Sequence, residues 1–187
     1  MTRFDGLLHT PAAAARRTNA ALEAIDDALT ALGVDDLRVE FPGQAAGRPR
    51  PDPPAVCFDT IRGAAEALAR ELGVPQTRIG VGGRSFGGRM CSMAVAEGLT
   101  AAGLVLVSYP LHPPGRPDRL RTAHFGSLRV PCLFVSGRRD AFATPAELAR
   151  ETAAIPGTVT VSFLDGDHSL RRKEREVADL VAGWVRG

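Results

Sequence analysis

Two nearly uninterrupted apolar runs, residues 102–107 and residues 132–135, constrain the fold of this chain more than any other sequence feature. Strands with continuous apolar sequences are typical of sheets covered on both faces, and such sheets are usually parallel. Longer segments with a helical spacing of apolar residues lie between these runs and other short β-branched segments. This alternation of strands and helices predicts an α/β fold, in which helices pack on both faces of a parallel sheet.

About six strands and five helices are predicted along the chain. The strands are 37–41, 78–82, 103–108, 131–136 and 158–164, with a weaker one near 6–9. The helices are approximately 17–32, 59–72, 86–97, 145–154 and 173–185. These elements predict a single domain over residues 1–187, with mostly parallel strands, helices on both faces of the sheet and no inserted cap domain.

Two proline-containing segments, 42–54 and 110–126, are predicted to be loops. Proline lacks an N–H group and fits neither a helix interior nor a central strand, so the proline-rich part of each segment should be neither. Both segments follow predicted strands, and open parallel sheets bind ligands beyond the carboxyl ends of their strands. We therefore expect these loops to form walls of a pocket.

Composition excludes several classes of function. No apolar run approaches the length of a membrane span, and the first residues lack the apolar core of a signal peptide, so a cytoplasmic protein without a membrane partner is predicted. The formal charge is +2 and the arginines are scattered among acids, which argues against nucleic acid as a partner. The three cysteines have no metal-ligand spacing, so neither a metal nor a cofactor is predicted. The sequence carries no signal for an oligomeric state.

The motif with the clearest chemical meaning is Gly83-Arg84-Ser85-Phe86-Gly87, a G-x-S-x-G between a predicted strand and a predicted helix. That context is typical of a nucleophile elbow, in which a sharp turn exposes the serine and the Phe86 N–H becomes an oxyanion donor. A phosphate-binding loop is excluded because Arg89 and Met90 stand where lysine and a hydroxyl residue belong. A dinucleotide fingerprint beginning at Gly80 would require glycine at position 85.

A serine nucleophile needs a histidine base and a carboxylate, and in this arrangement they follow it in the order acid, then histidine. His168 comes directly after the last predicted strand, and Asp140 is the only carboxylate in the loop after the preceding strand. Ser85, Asp140 and His168 are thus the predicted catalytic residues, although a loop aspartate and a surface histidine remain the alternative interpretation. Asp165 and Asp167 are alternative acids, but they are too close to His168 in sequence to be preferred.

Four segments together, 82–90, 108–115, 137–140 and 166–168, resemble a known family. They are similar to the small α/β-hydrolases grouped with the testis-expressed and NSL-complex regulatory-subunit proteins, and more distantly to dienelactone hydrolases. The resemblance covers nearly the whole chain and implies an α/β-hydrolase fold without a lid. It also implies that the triad maps onto Ser85, Asp140 and His168.

One departure from that family concerns the turn after the first strand. A His-Gly-Ala-Gly-like turn there usually supplies the second oxyanion N–H, whereas this chain has His9-Thr10-Pro11-Ala12. Since Pro11 has no N–H, we expect Thr10 or Ala12 to donate, or the oxyanion hole to be incomplete.

Further candidate residues flank the predicted nucleophile. Arg84, Tyr109 and His112 are predicted to bind substrate, with a solvated surface for Arg84 and packing for Tyr109 and His112 as the alternatives. The sequence as a whole predicts a serine hydrolase that cleaves a carboxylic ester or related acyl bond of a small molecule through an acyl-enzyme. The alternatives are a weakly active or inactive hydrolase-fold binding protein, and an enzyme of acyl transfer or perhydrolysis.

Overall fold

One open sheet of six parallel strands runs through the protein. The computed structural model describes residues 4–13 and 20–187, and its strands lie in the order β2-β1-β3-β4-β5-β6. The strands are β1 (Gly6–Thr10), β2 (Asp35–Arg38), β3 (Ile79–Arg84), β4 (Leu104–Val107), β5 (Cys132–Gly137) and β6 (Val159–Leu164). All neighbouring strands pair in parallel, as the apolar runs predict.

Helices cover both faces of this sheet. They are α1 (Ala20–Thr30), α2 (Pro42–Ala45), α3 (Pro54–Leu72), α4 (Phe86–Ala96), α5 (Pro145–Thr152) and α6 (Glu174–Arg186). Buried side chains of α3, α4 and α5 form the core on one face, and those of α1 and α6 form a second core on the other. Every residue of β4 is buried, which is the environment that its uninterrupted apolar sequence predicts. The α/β-hydrolase fold class predicted from the sequence is therefore confirmed.

The strand order also determines where a ligand can bind. The chain leaves β1 toward β2 on one side, whereas β3 pairs with β1 on the other side. Such a reversal opens a crevice beyond the carboxyl ends of the two strands, and this is where open parallel sheets bind ligands. Residues 11–13 follow β1 and Ser85 follows β3, so both border this crevice.

Several predicted boundaries are wrong, mainly around proline. The strand predicted at 37–41 is displaced to Asp35–Arg38, and the helix predicted to begin at 59 begins at Pro54. The segment predicted to be a loop contains the short helix Pro42–Ala45. Both helices start on a proline, which is tolerated in the first turn because the N–H it lacks has no intrahelical acceptor there.

The helix ends elsewhere follow the prediction more closely. α1 ends at Thr30, while the first residues of its predicted span, 17–19, lie outside the described residues. The weak strand near 6–9 is present as Gly6–Thr10 and is buried throughout. Within residues 4–13 and 20–187, no helix combines the length and apolarity needed to cross a bilayer.

Candidate active site

Ser85 occupies the turn that joins β3 to α4, and its backbone is strained. Its φ of 51° and ψ of −116° form a combination that glycine adopts readily and L-residues rarely do. The turn is held on both sides: the Ser85 N–H donates to the Val107 carbonyl at 2.8 Å, and the Arg89 N–H donates to the Ser85 carbonyl at 3.0 Å. The side chain is thereby presented at the carboxyl edge of the sheet.

Glycines allow this turn to pack against the end of β1. A Cβ at Gly83 would lie 2.4 Å from the Thr10 carbonyl oxygen, and a Cβ at Gly87 would lie 2.4 Å from the Pro11 carbonyl oxygen. Neither distance is compatible with a side chain, since the atoms it would meet belong to the backbone. The G-x-S-x-G spacing thus reflects close main-chain contact between the serine turn and residues 10–11.

Three side chains that the sequence singles out are in contact. The Ser85 Oγ lies 2.9 Å from His168 Nε2, and His168 Nδ1 lies 2.8 Å from Asp140 Oδ2 and 3.0 Å from Asp140 Oδ1. The Asp140 side chain is fully buried and also accepts a hydrogen bond from the Phe142 N–H at 2.8 Å. A carboxylate at Nδ1 favours the tautomer in which Nε2 has a free lone pair facing the hydroxyl.

Two contacts hold together the loops that carry Asp140 and His168, and a third holds the His168 loop against Arg84. A Cβ at Gly137 would lie 2.4 Å from the Gly166 carbonyl oxygen, so the two loops touch through their backbones. The Phe142 ring packs on the His168 ring with centroids 4.0 Å apart. Arg84 Nη2 donates to the His168 carbonyl at 3.0 Å and to the Ser169 carbonyl at 3.1 Å. Arg84 therefore positions the loop that carries His168. The sequence analysis predicted substrate binding for Arg84 and did not predict this contact.

The predicted oxyanion donors differ in their placement. α4 begins at Phe86, so the Phe86 N–H belongs to the first-turn groups without an intrahelical acceptor. Thr10, by contrast, is fully buried and pairs with Gly83 inside the sheet, because β1 extends one residue beyond the predicted strand. Thr10 does not line the cavity at Ser85, whereas Ala12 and Ala13 do. The choice of Thr10 over Ala12 is thus not supported.

Gln44 supports the backbone next to Ser85, and the sequence analysis did not identify it. Its Nε2 donates to the Ala12 carbonyl at 2.8 Å and to the Ala13 carbonyl at 3.3 Å, while its Oε1 accepts from the Phe41 N–H at 3.2 Å. Gln44 lies in α2, within a segment predicted to be irregular. No spacing in the sequence signals a contact across thirty residues, so only the fold reveals it.

A cavity of about 530 Å³ opens at Ser85 and His168. Both predicted loops contribute to its walls, through Pro51 and through Pro110. Its apolar lining comprises Ala12, Ala13, Pro51, Phe86, Pro110 and Phe142, and its remaining lining residues besides Ser85 and His168 are Arg84, Arg89 and Arg121.

Tyr109 and His112, which the sequence predicts to bind substrate, are not among these lining residues. The Tyr109 ring is buried against the rings of Phe125 and Phe134, and its hydroxyl donates to the Arg121 carbonyl at 3.0 Å. His112 is also buried, with Nδ1 donating to the Pro113 carbonyl at 2.8 Å. The aromatic core therefore holds the Tyr109 ring, whereas His112 is held by the Pro113 carbonyl and by Glu147, whose Oε2 lies 3.4 Å from His112 Nε2.

A separate cluster of titratable groups joins β1, α1 and β2. His9 is almost fully buried, with Nε2 at 2.7 Å from Asp26 Oδ1 and 3.7 Å from Asp36 Oδ2. One ligand atom from each of the three lies within 4.8 Å of the others, a spacing that a divalent ion also accepts. The Arg38 guanidinium already contacts Asp26, however, so we describe these residues as an ion-pair cluster and assign them no metal.

This cluster makes stability depend on pH. Burial lowers the pKa of His9, but the carboxylates of Asp26 and Asp36 outweigh burial and raise the pKa above its usual value. The stabilisation is present in full below the unfolded pKa of about 6.5 and is lost as the pH rises through the higher folded value. In urea unfolding at about pH 6 and about pH 9, we expect the stability advantage of wild type over His9→Gln to shrink at the higher pH. An advantage independent of pH would contradict this expectation.

Comparisons with known proteins agree with the fold. The model of a family described as alpha/beta hydrolase domain matches residues 5–184. Est1E from Butyrivibrio proteoclasticus is 13% identical, with a TM-score of 0.78 over 98% of this chain and 88% of the other. A dienelactone hydrolase from Anabaena variabilis ATCC 29413 is 18% identical, with a TM-score of 0.76 over 97% and 85% of the two chains. The esterase domain of a Rhodothermus marinus protein is 19% identical, with a TM-score of 0.73 over 97% and 85%.

Proposed function

Because this chain belongs to the alpha/beta hydrolase family, we propose that it is a serine hydrolase that cleaves a carboxylic ester or a related acyl bond of a small molecule. Ser85 is the nucleophile, His168 the general base and acid, and Asp140 the carboxylate that orients His168. The resemblance to dienelactone hydrolases is in line with this proposal. The closer link to the testis-expressed and NSL-complex regulatory-subunit proteins stays a prediction from sequence.

The observation that carries the proposal is the chain of contacts from Ser85 Oγ through His168 to the buried Asp140 carboxylate, with distances of 2.9 Å and 2.8 Å. His168 Nε2 takes the hydroxyl proton as Oγ attacks the acyl carbon, and then gives it to the departing alcohol oxygen. This leaves an acyl-enzyme at Ser85. Water, deprotonated by His168, attacks that ester, and the proton returns to Ser85 Oγ as the acid leaves.

The developing oxyanion needs two donors in this scheme. The Phe86 N–H at the start of α4 is the first, and the backbone of Ala12–Ala13 supplies the second. Gln44 binds the Ala12 carbonyl, and in a trans peptide the following N–H points the opposite way. We assign the second donor to Ala13 for this reason, in place of Thr10.

Labelling with a fluorophosphonate probe tests the proposal. We expect the folded protein to be labelled at Ser85, because only an activated serine attacks the phosphorus, and heat-denatured protein to remain unlabelled. Ser92 offers an internal control: its Oγ lies 2.8 Å from His124 Nε2, but it is buried in α4 outside the cavity lining. Trypsin cleaves after Arg89 and so places the two serines on different peptides.

Turnover of p-nitrophenyl acetate, measured beside Ser85→Ala, is the accompanying readout. Folded protein that neither labels at Ser85 nor hydrolyses this ester would contradict the proposal. It would favour instead the alternative of a hydrolase-fold binding protein without activity, an alternative that the missing glycines at positions 10–12 suggest.

A further inference from the structure

Two arginines in the wall of the Ser85 cavity have no acidic partner. Arg89 projects from α4 and Arg121 from the segment between β4 and β5, and both line the cavity. Among residues 4–13 and 20–187, neither forms an ion pair, and the buried Arg89 Nε has no hydrogen-bond acceptor. By contrast, the partly buried Arg78 is paired with Asp5 at 2.6 Å.

The described lining of this cavity offers the two arginines no negative charge. The described lining residues include no Asp or Glu, and the undescribed residues 1–3 and 14–19 contain none in their sequence. The Asp140 carboxylate is fully buried beneath His168 and is already bound there. Unpaired guanidinium groups in a concave, partly apolar site leave strong hydrogen-bond donors free.

The pKa values of two nearby titratable groups are lowered, as uncompensated positive charge requires. Burial and the charge of Arg89 lower the pKa of Arg121. Burial and Arg89 also lower the pKa of His124, to about 4, so that this imidazole is neutral at physiological pH. Arg89 and Arg121 therefore repel each other in the cavity wall, and a bound anion would relieve this repulsion.

We propose that Arg89 and Arg121 bind an anionic group of the substrate, so that the enzyme acts on acyl esters or thioesters that carry a carboxylate or a phosphate. This inference rests on the proposed hydrolase function and names its substrate class. A planar guanidinium binds either anion through paired N–H donors, and the two guanidiniums share one cavity with Ser85.

The helix spacing limits the size of that substrate. Ser85 immediately precedes α4 and Arg89 lies in the first turn of that helix, so the two residues are about one turn apart, and both line the cavity. The anionic group then lies only a few bonds from the reacting carbonyl. Phe86 and Phe142 line the same cavity and offer apolar surface to a hydrocarbon or aryl spacer.

Matched pairs of esters test the proposal. For charge on the alcohol side we choose 4-acetoxybenzoate, its neutral methyl ester and 4-acetoxyphenyl phosphate. For charge on the acyl side we choose the phenyl monoester of adipate and its methyl ester. Each kcat/KM is divided by the rate constant for hydroxide hydrolysis, which removes differences in intrinsic reactivity. The benzoate and phosphate arms distinguish the two anions.

Wild type is expected to prefer an anionic ester over its neutral partner by at least tenfold. Arg89→Gln and Arg121→Gln should each reduce that preference by about tenfold, the equivalent of about 1.4 kcal/mol, chiefly through KM and with little change for the neutral ester. Arg89→Lys should restore part of it. Arg119→Gln is the matched control, since Arg119 is exposed in the same segment as Arg121 and does not line the cavity.

The outcomes separate this inference from the proposed function. Hydrolysis of neutral and anionic esters at equal normalised rates, or equal losses in the Arg119 variant, overturns the anionic substrate class while the hydrolase function stands. If no ester is hydrolysed, calorimetric binding of 4-acetoxybenzoate to Ser85→Ala decides the matter by itself. Binding that weakens about tenfold on adding Arg89→Gln supports the anion site, and binding that is absent or unchanged overturns it.

Discussion

Replacing Ser85 by alanine is expected to lower kcat for an ester substrate by about 10⁴–10⁶-fold, the loss that follows removal of a triad nucleophile. The fold should persist, because the Ser85 side chain has its one hydrogen bond to His168 and the backbone bonds of the turn do not involve it. Steady-state hydrolysis of p-nitrophenyl acetate and far-ultraviolet circular dichroism together measure the two effects. A variant that retains wild-type turnover would exclude Ser85 as the nucleophile.

Glycine at the same position separates chemistry from strain. Ser85→Gly also lacks the hydroxyl and should be as inactive as Ser85→Ala. Glycine, however, accepts a φ of 51° with a ψ of −116° without strain, whereas alanine, like serine, is strained there. Strain of this kind costs about 1–3 kcal/mol, against about 0.5–1 kcal/mol for the extra chain entropy of glycine. We expect Ser85→Gly to be the more stable of the two in urea unfolding. Equal stabilities would mean that the turn relaxes in solution.

Asp140→Asn is the second substitution with a large expected effect, a fall in kcat of about 10⁴-fold. The Phe142 N–H binds Asp140 Oδ1, so an asparagine would keep its oxygen there and turn its NH₂ group toward His168 Nδ1. Nδ1 would then become the acceptor, and the ring proton would move to Nε2, which faces Ser85 Oγ. A histidine in that tautomer cannot accept the serine proton.

The neighbouring aspartates provide the controls for this substitution. Asp165 is exposed and paired with Arg139, and Asp167 binds Ser169, so Asp165→Asn and Asp167→Asn should leave kcat within about threefold of wild type. All three variants lose one carboxylate from the same pair of loops. If Asp167→Asn impaired turnover as strongly as Asp140→Asn, the assignment of the orienting acid would be wrong.

The sequence predicts best those features that a local pattern encodes. The apolar runs at 102–107 and 132–135 predict buried parallel strands because both faces of such a strand need apolar side chains. The turn at Ser85 is predictable because the glycines that its close packing requires lie within two residues of the serine. Asp140 and His168 could be named because each directly follows a strand, and parallel strands bring their carboxyl ends to one edge.

Features that depend on contacts between residues far apart in the sequence cannot be predicted in this way. Pro54 looks like a break in structure, yet it begins α3 because an N-terminal turn tolerates it. Tyr109 follows a strand as Asp140 does, but its ring packs against Phe125 and Phe134 and does not line the cavity. Arg89 and Arg121 come together only once the segment after β4 folds back over α4, and no periodicity records that approach.

The main-chain contact between the serine turn and the end of β1 has a consequence for engineering this protein. A Cβ at Gly83 or Gly87 would overlap a backbone carbonyl oxygen, so libraries that vary either position will recover few folded members. Ala12 and Ala13 line the same cavity, and the Gln44 side chain binds them through their backbone carbonyl oxygens, which a substitution retains. Randomising these two alanines is therefore the economical route to altered substrate selectivity.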